Sequence, residues 1–341
     1  ITMTSKSASK QTAKSLSKPP VAIILIPMGF PPTSARKSAT YLGQSQGVLI
    51  PGIVALRSSS KLLNVADHDR DSAGLTYVYP VVSRRAGGVS IGVNLNPNNA
   101  CNWRCVYCQV PDLKRGTAPA IDLARLESEL RIFLHEILHG RFMKDQVPAN
   151  VRRINDIAIS GNGEPTSARE FEQVIELIAR VKRDYDLPKE LKLVLITNGS
   201  LIDRSGVQEG LRLMAALNGE VWFKLDSVTR EGRQRINNTR MSLKQMRENL
   251  RTAALLCPTW LQTCLFQIDG EPPDEKEWAA YLKFIESLLQ EEVPLRGVLL
   301  YALARPSMQP EAPRLSGVSQ DWAEAFRGKI QSLGLAATLH Q

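Results

Sequence analysis

From about Leu75 onward, short apolar runs alternate with amphipathic segments, and this alternation limits the fold more than any other feature of the chain. Residues 88–94 read as a strand. Residues 121–139 read as a helix with Leu123, Leu126, Leu130, Phe133, Ile137 and Leu138 on one face. A strand over 154–160 runs into glycines, and a helix over 167–185 follows, with Ser167 placed to cap it. The cycle repeats as strand 191–197, helix 206–217, strand 221–225, helix 243–256 with Ser242 as its cap, strand 261–268, helix 275–290 and strand 297–303. A last helix over 320–333 precedes a short tail. Six strand–helix repeats with apolar strands predict an α/β fold in which helices cover a parallel sheet. Right-handed crossovers wind such repeats into an open or partial (β/α)6 TIM-like barrel.

Active sites of such barrels form at the C-terminal ends of the strands. The most informative segment lies there, Cys101-Asn102-Trp103-Arg104-Cys105-Val106-Tyr107-Cys108-Gln109-Val110. Three cysteines at Cys-x3-Cys-x2-Cys can hold a metal cluster from one tight loop. Iron–sulfur clusters normally take four thiolates, so three leave one iron open for another ligand. A structural zinc site would need a fourth Cys or His, and His68 and His135 are distant in sequence. Buried structural thiols have no reason to adopt this spacing. The other strand ends carry Ser160-Gly161-Asn162-Gly163-Glu164-Pro165-Thr166, Thr197-Asn198-Gly199-Ser200, Lys224-Leu225-Asp226-Ser227 and Gln267-Ile268-Asp269-Gly270, which together predict one shared pocket.

The 341 residues suffice for one large domain or two small ones. Five clustered cysteines do not make a disulfide framework, and free thiols imply a reducing, cytoplasmic setting. The net charge of +9 is misleading as a nucleic-acid signature, because residues 1–60 hold seven Lys/Arg and no acid. From residue 61 onward there are 36 basic and 34 acidic residues, close to neutral. Residues 1–65 read as a basic, acid-free, disordered extension. Its apolar run, residues 21–30, is too short to span a membrane. Residues 75–310 are expected to form the barrel, and 311–341 a C-terminal helix and tail packed on it.

Cys101, Cys105 and Cys108 with Tyr107, followed by Gly161-Asn162-Gly163-Glu164-Pro165 after the second strand, resemble the radical S-adenosylmethionine (SAM) superfamily over roughly residues 77–310. The resemblance implies a [4Fe-4S] cluster on the three cysteines and SAM on its open iron. It also implies reductive cleavage of SAM to a 5′-deoxyadenosyl radical that abstracts hydrogen from a substrate, with a flavodoxin- or ferredoxin-type electron donor. By the same resemblance Gly161, Gly163 and Glu164 meet the methionine amino group. Asn198 and Asp226 are candidates for the ribose hydroxyls, Lys224 or Arg305 for the carboxylate, and Tyr107, Gln267 and Tyr301 for the adenine surroundings. Ser83-Arg84-Arg85-Ala86-Gly87 and Tyr107-Cys108-Gln109 further resemble the wyosine-synthetase-like subgroup, whose members modify transfer RNA. The chain lacks a cysteine before Cys101 for their second cluster, and its body is nearly neutral, so transfer RNA is not the favoured substrate.

Cys257 and Cys264 form no Cys-x-x-Cys pair; Cys264 is a candidate hydrogen-atom donor, though a small buried core residue is the better reading. Two readings from other classes compete. His135-Glu136-Ile137-Leu138-His139 spells the His-Glu-x-x-His zinc-hydrolase motif, but at 100° per residue both histidines project away from the apolar stripe, and no third ligand sits at a familiar spacing. A non-enzymatic iron–sulfur electron carrier would need a fourth protein ligand and no glycine-rich cradle.

Overall fold

The computed structural model describes residues 62–63, 74–83, 87–303 and 305–340. Its main sheet holds eight strands in the order β1 (Val78–Ser83), β2 (Gly88–Val93), β3 (Ile154–Ile159), β4 (Lys192–Thr197), β5 (Gly219–Lys224), β6 (Thr259–Leu265), β7 (Leu295–Ala302) and β8 (Ala337–His340). All neighbouring pairs are parallel except β1 with β2. Spatial order follows chain order, so each crossover moves one strand further round, as in a partial barrel. Among the described residues, the helices of eight residues or more are α1 (Leu123–His139), α2 (Phe171–Asp184), α3 (Ser205–Ala216), α4 (Arg230–Asn237), α5 (Leu243–Leu256), α6 (Glu275–Gln290) and α7 (Gln320–Ser332). The α/β partial-barrel reading is therefore correct.

Burial explains the apolar runs. All six residues of β2 are buried, as expected for a parallel strand covered on both faces. Polar side chains fix where helices begin: Asp122 accepts from Arg125 N at 2.9 Å for α1, and Ser242 accepts from Gln245 N at 3.1 Å for α5.

Several details differ from the sequence reading. Leu138 is 40% exposed, and Leu134 takes its place in the stripe that α1 buries. Ser167 does not cap α2; it ends a 3-10 turn (Pro165–Ser167), donating to Glu164 O at 2.7 Å and accepting from Ala118 N at 2.8 Å. The expected strand 261–268 stops at Leu265, and Gln267–Ile268 pairs instead with Leu315–Ser316 in a separate ladder. The supposed tail is β8, which extends the sheet alongside β7. Residues 1–61 and 64–73, most of the expected extension, lie outside the described residues, as do Arg84 and Arg85. Leu63 is buried, and its N–H donates to Gln146 O at 2.8 Å. Among the described residues no helix is long and apolar enough to cross a membrane.

One buried carboxylate ties the first strand to the helix layer. Glu129 of α1 accepts from the N–H groups of Thr76 (3.0 Å), Tyr77 (2.7 Å) and Val78 (3.3 Å) and from Arg125 Nε (2.9 Å). Replacing it by alanine leaves buried donors without a partner, at roughly 1–3 kcal/mol each. Glu129→Ala is expected to lower stability by about 3 kcal/mol or more, read as a lower urea midpoint; a midpoint within error of wild type would refute this role.

Candidate functional site

The C-terminal ends of β2 to β7 open into one cavity of about 270 Å³. Its lining includes Cys101, Cys105, Cys108, Tyr107, Gly161, Gly163, Glu164, Asn198, Lys224, Cys264, Tyr301 and Arg305, so most residues singled out in the sequence meet there. Asp226 and Gln267 are exceptions. Asp226 lies behind the cysteine loop, where Oδ2 accepts from Tyr107 Oη and from Asn237 Nδ2 (2.7 Å), and Oδ1 accepts from Cys264 N (3.0 Å). Both its oxygens accept from protein donors, and Asp226 is not among the residues that line the cavity. Gln267 sits in its side ladder, its Oε1 accepting from Ser316 Oγ at 3.0 Å.

The cysteine loop begins with Ala100–Cys101 paired to Lys114–Arg115. It is then gripped by distant parts of the chain. Arg104 N donates to Asn237 O (3.2 Å), Val106 N to Ile236 O (2.8 Å), and Met308 N to Cys108 O (2.9 Å). Ser307 Oγ donates to Val106 O (2.7 Å), and Gln309 Nε2 to Val110 O (3.0 Å). Arg104 and Glu311 form a two-pronged ion pair at 2.8 and 2.7 Å. Among the described residues two N–H groups aim at loop sulfurs: Trp103 N at Cys101 Sγ (3.4 Å) and Asn237 Nδ2 at Cys105 Sγ (3.3 Å).

The glycine loop is built for close packing. A Cβ on Gly163 would fall 2.0 Å from Ala100 O, and one on Gly161 would fall 2.2 Å from Asn94 Oδ1. The glycines let this loop lie directly on the end of β2 and the start of the cysteine loop. Asn94 Oδ1 accepts from Asn162 N (3.0 Å), and Asn162 Nδ2 donates to Asn99 Oδ1 (2.6 Å), completing the latch. Glu164 is buried and accepts from Thr166 N (3.1 Å), Thr166 Oγ1 (2.6 Å), Thr197 Oγ1 (2.6 Å) and Asn198 N (2.7 Å). Burial pushes its carboxyl pKa up while these donors pull it back. Asn198 Nδ2 in turn donates to Asn102 Oδ1 at 2.8 Å, joining the end of β4 to the cysteine loop.

Lys224 reaches Tyr301 Oη at 3.2 Å and lies 4.9 Å from the Tyr107 ring centroid. Burial works against its ammonium, but Tyr301, Asp226, Cys105 and Cys264 outweigh it and raise its pKa. Among the described residues the lining thus presents two cations, Lys224 and Arg305, and one carboxylate, Glu164. Cys264 is also buried at this cavity, whereas Cys257 is buried in the main hydrophobic core. His135 and His139 are exposed on α1 with ring centroids 5.1 Å apart, and Glu136 Oε1 accepts from Arg141 N (2.9 Å) and Phe142 N (3.2 Å). That carboxylate closes the end of a helix, so the His-Glu-x-x-His string serves a turn.

The donor set fits a cluster better than a single ion. Among the described residues no three His, Cys, Asp or Glu side chains are arranged to hold one metal ion. In a cubic cluster each thiolate takes a different iron, so the sulfurs need only line one cavity. Asn94, Asn99, Asn162 and Asn237 escape the sequence reading, because single asparagines carry no periodicity or spacing; the density of asparagine over 94–102 is the one available sign.

Burial pushes the Cys101 thiol up to about 12 and the Cys105 thiol up to about 11. A thiol must lose its proton to bind a metal, so any metal loading at these two is expected to release protons and to quicken as pH rises from 7 to 9. Native-state alkylation of the iron-free protein should be slow at Cys101, with about a thousandfold less thiolate than an ordinary thiol of pKa 9.0 at neutral pH. Mass spectrometry of alkylated peptides checks this, and equal rates at Cys101 and a free thiol would contradict it.

Residues 95–285, more than half of the chain, match the radical SAM superfamily. A UPF0026 protein of Helicobacter pylori is 27% identical over 240 residues, covering 70% of this chain and 68% of its own. A UPF0026 protein of Methanocaldococcus jannaschii is 33% identical over 165 residues; the match covers 48% of this chain but only 44% of the relative. Streptococcus suis SuiB bound to S-adenosylmethionine aligns with TM-score 0.48 and 9% identity over 75% of this chain and 52% of that one. TYW1 with a lysine-pyruvate adduct bound aligns with TM-score 0.48 and 15% identity over 71% and 73%. The family match, together with a barrel and a three-cysteine loop of the kind that family uses, assigns the chain to the radical SAM superfamily, enzymes that use a [4Fe-4S] cluster and S-adenosylmethionine.

Proposed function

We propose that this protein cleaves SAM reductively and uses the product to abstract hydrogen from a substrate. The observation that carries the reading is the convergence of three thiols, a glycine loop and two cations on one cavity at the strand ends. Cys101, Cys105 and Cys108 would hold a [4Fe-4S] cluster, which would supply the one-electron chemistry that splits the SAM sulfonium. The Gly161–Gly163 backbone and Glu164 face the methionine amino group, Lys224 or Arg305 the carboxylate, Asn198 the ribose, and Tyr107 and Tyr301 the adenine side. Val110, Leu113, Ile196 and Leu303 give the cavity apolar walls that help keep water from a reactive radical. The electron comes from a low-potential carrier of the flavodoxin or ferredoxin type, and the oxidant-sensitive site suits a reducing cytoplasm.

A narrower reading is a wyosine-type reaction on transfer RNA. Gln109, which lines the cavity, and the Ser83–Gly87 segment favour it, while the balance of 36 basic and 34 acidic residues beyond residue 60 does not. We adopt the broader reading, with the substrate open.

The test is anaerobic. Protein reconstituted with iron and sulfide is given dithionite and SAM, and 5′-deoxyadenosine is quantified beside Cys105→Ala. Wild type is expected to form it and the variant to form none above background. Equal formation by both would sink the ligand assignment, and acceleration by bulk transfer RNA would favour the narrower reading.

A further inference from the structure

We propose that Asn237 is a positioning residue that sets the reduction potential of the cluster held by the cysteine loop. This rests on the function proposed above and concerns a residue outside the cavity lining. Asn237 ends α4 and is 1% exposed. Its amide nitrogen lies 3.3 Å from Cys105 Sγ and 2.7 Å from Asp226 Oδ2. Asp226 Oδ2 accepts from the amide, so the –NH2 end of Asn237 faces it. Its two hydrogens then serve two acceptors, one the carboxylate and one the sulfur.

The backbone fixes this arrangement as firmly as the side chain does. Ile236 O and Asn237 O accept from Val106 N and Arg104 N, on either side of Cys105, and Asn238 in the left-handed conformation (φ 48°) ends the helix at that point. Asp226 is itself held by Tyr107 Oη and Cys264 N. The amide can therefore neither turn nor withdraw. Among the described residues, the other N–H aimed at a loop sulfur belongs to the Trp103 backbone and is built into the loop. Asn237 is thus the donor that a substitution can remove without altering the loop's own sequence.

An N–H pointing at a thiolate ligand draws electron density from the sulfur and favours the reduced, more negative cluster. The bond is present in both oxidation states, so what counts is how much it strengthens on reduction; we take that gain as roughly tenfold in an equilibrium constant, below the full worth of a hydrogen bond to a charged group. For a one-electron couple that is about 59 mV.

The test uses full-length protein reconstituted with iron and sulfide, without SAM, and titrated with dithionite under electron paramagnetic resonance. Asn237→Leu keeps the size of the side chain and loses the donor; Asn237→Val is a smaller alternative, also without a donor, should leucine disturb the fold. Either variant is expected to bind iron as wild type does and to be about tenfold harder to reduce at a fixed potential. In addition, wild type labelled with asparagine carrying 15N only in the side-chain amide should show spin-echo modulation from 15N in the reduced cluster, with one component that Asn237→Leu and Asn237→Val lose while the labelled amides of Asn102 and Asn198 remain. An unchanged midpoint in an iron-loaded variant, or no 15N modulation in wild type, overturns the proposal. Folded variants that hold no iron would make Asn237 a clamp on the loop and also overturn it. Wild type that forms no cluster at all would instead overturn the proposed function.

Discussion

The Glu164 carboxylate is the joint on which the site turns. A buried carboxylate is costly unless donors surround it. Here two threonine hydroxyls and two backbone N–H groups do so, drawn from its own turn and from the end of the neighbouring strand. It accepts from Asn198 N, and Asn198 passes the connection to Asn102 in the cysteine loop. Glu164 thereby fixes the glycine loop, the end of β4 and the cysteine loop relative to one another. Without its donors the group would favour the neutral form, and the glycine loop would lose the interaction that holds it against β4.

The cysteine loop gains its shape in the same way, from outside itself. Its ten residues are too few to bury a core, and their backbone groups find partners in α4 and in the segment after β7. Asp226 shows how one side chain serves several ends: it orients Tyr107, Asn237 and the Cys264 backbone together. The parallel sheet contributes position, since each strand delivers its last residues to the same rim. Side-chain hydrogen bonds then supply the accuracy that a sheet cannot.

Elements with strong periodicity were legible in the sequence. The helices Leu243–Leu256 and Glu275–Gln290 stand at the bounds their apolar spacing and caps predict. Helix α4 was not legible, because Arg230, Glu231, Arg233, Gln234 and Arg235 leave it without an apolar stripe; its short length is held by contacts with the cysteine loop. Strand β1 was missed because Pro80 argues against a strand, and it is tolerated at the sheet edge. The convergence of Cys101, Gly161, Glu164 and Asn198 was readable from strand-end placement alone. The true partners of Asp226 were not: they come from residues 11, 38 and 119 positions away, which only the folded chain brings together.

The staple formed by Ser307, Met308, Gln309 and Glu311 has a consequence for how the protein matures. Ser307 is made 201 residues after Val106, the carbonyl it anchors. On the ribosome the cysteines therefore emerge long before the groups that shape their loop exist. The loop can take its final shape only after translation has passed Glu311. The order of synthesis, and not only the folded structure, therefore decides when the three thiols reach their final arrangement.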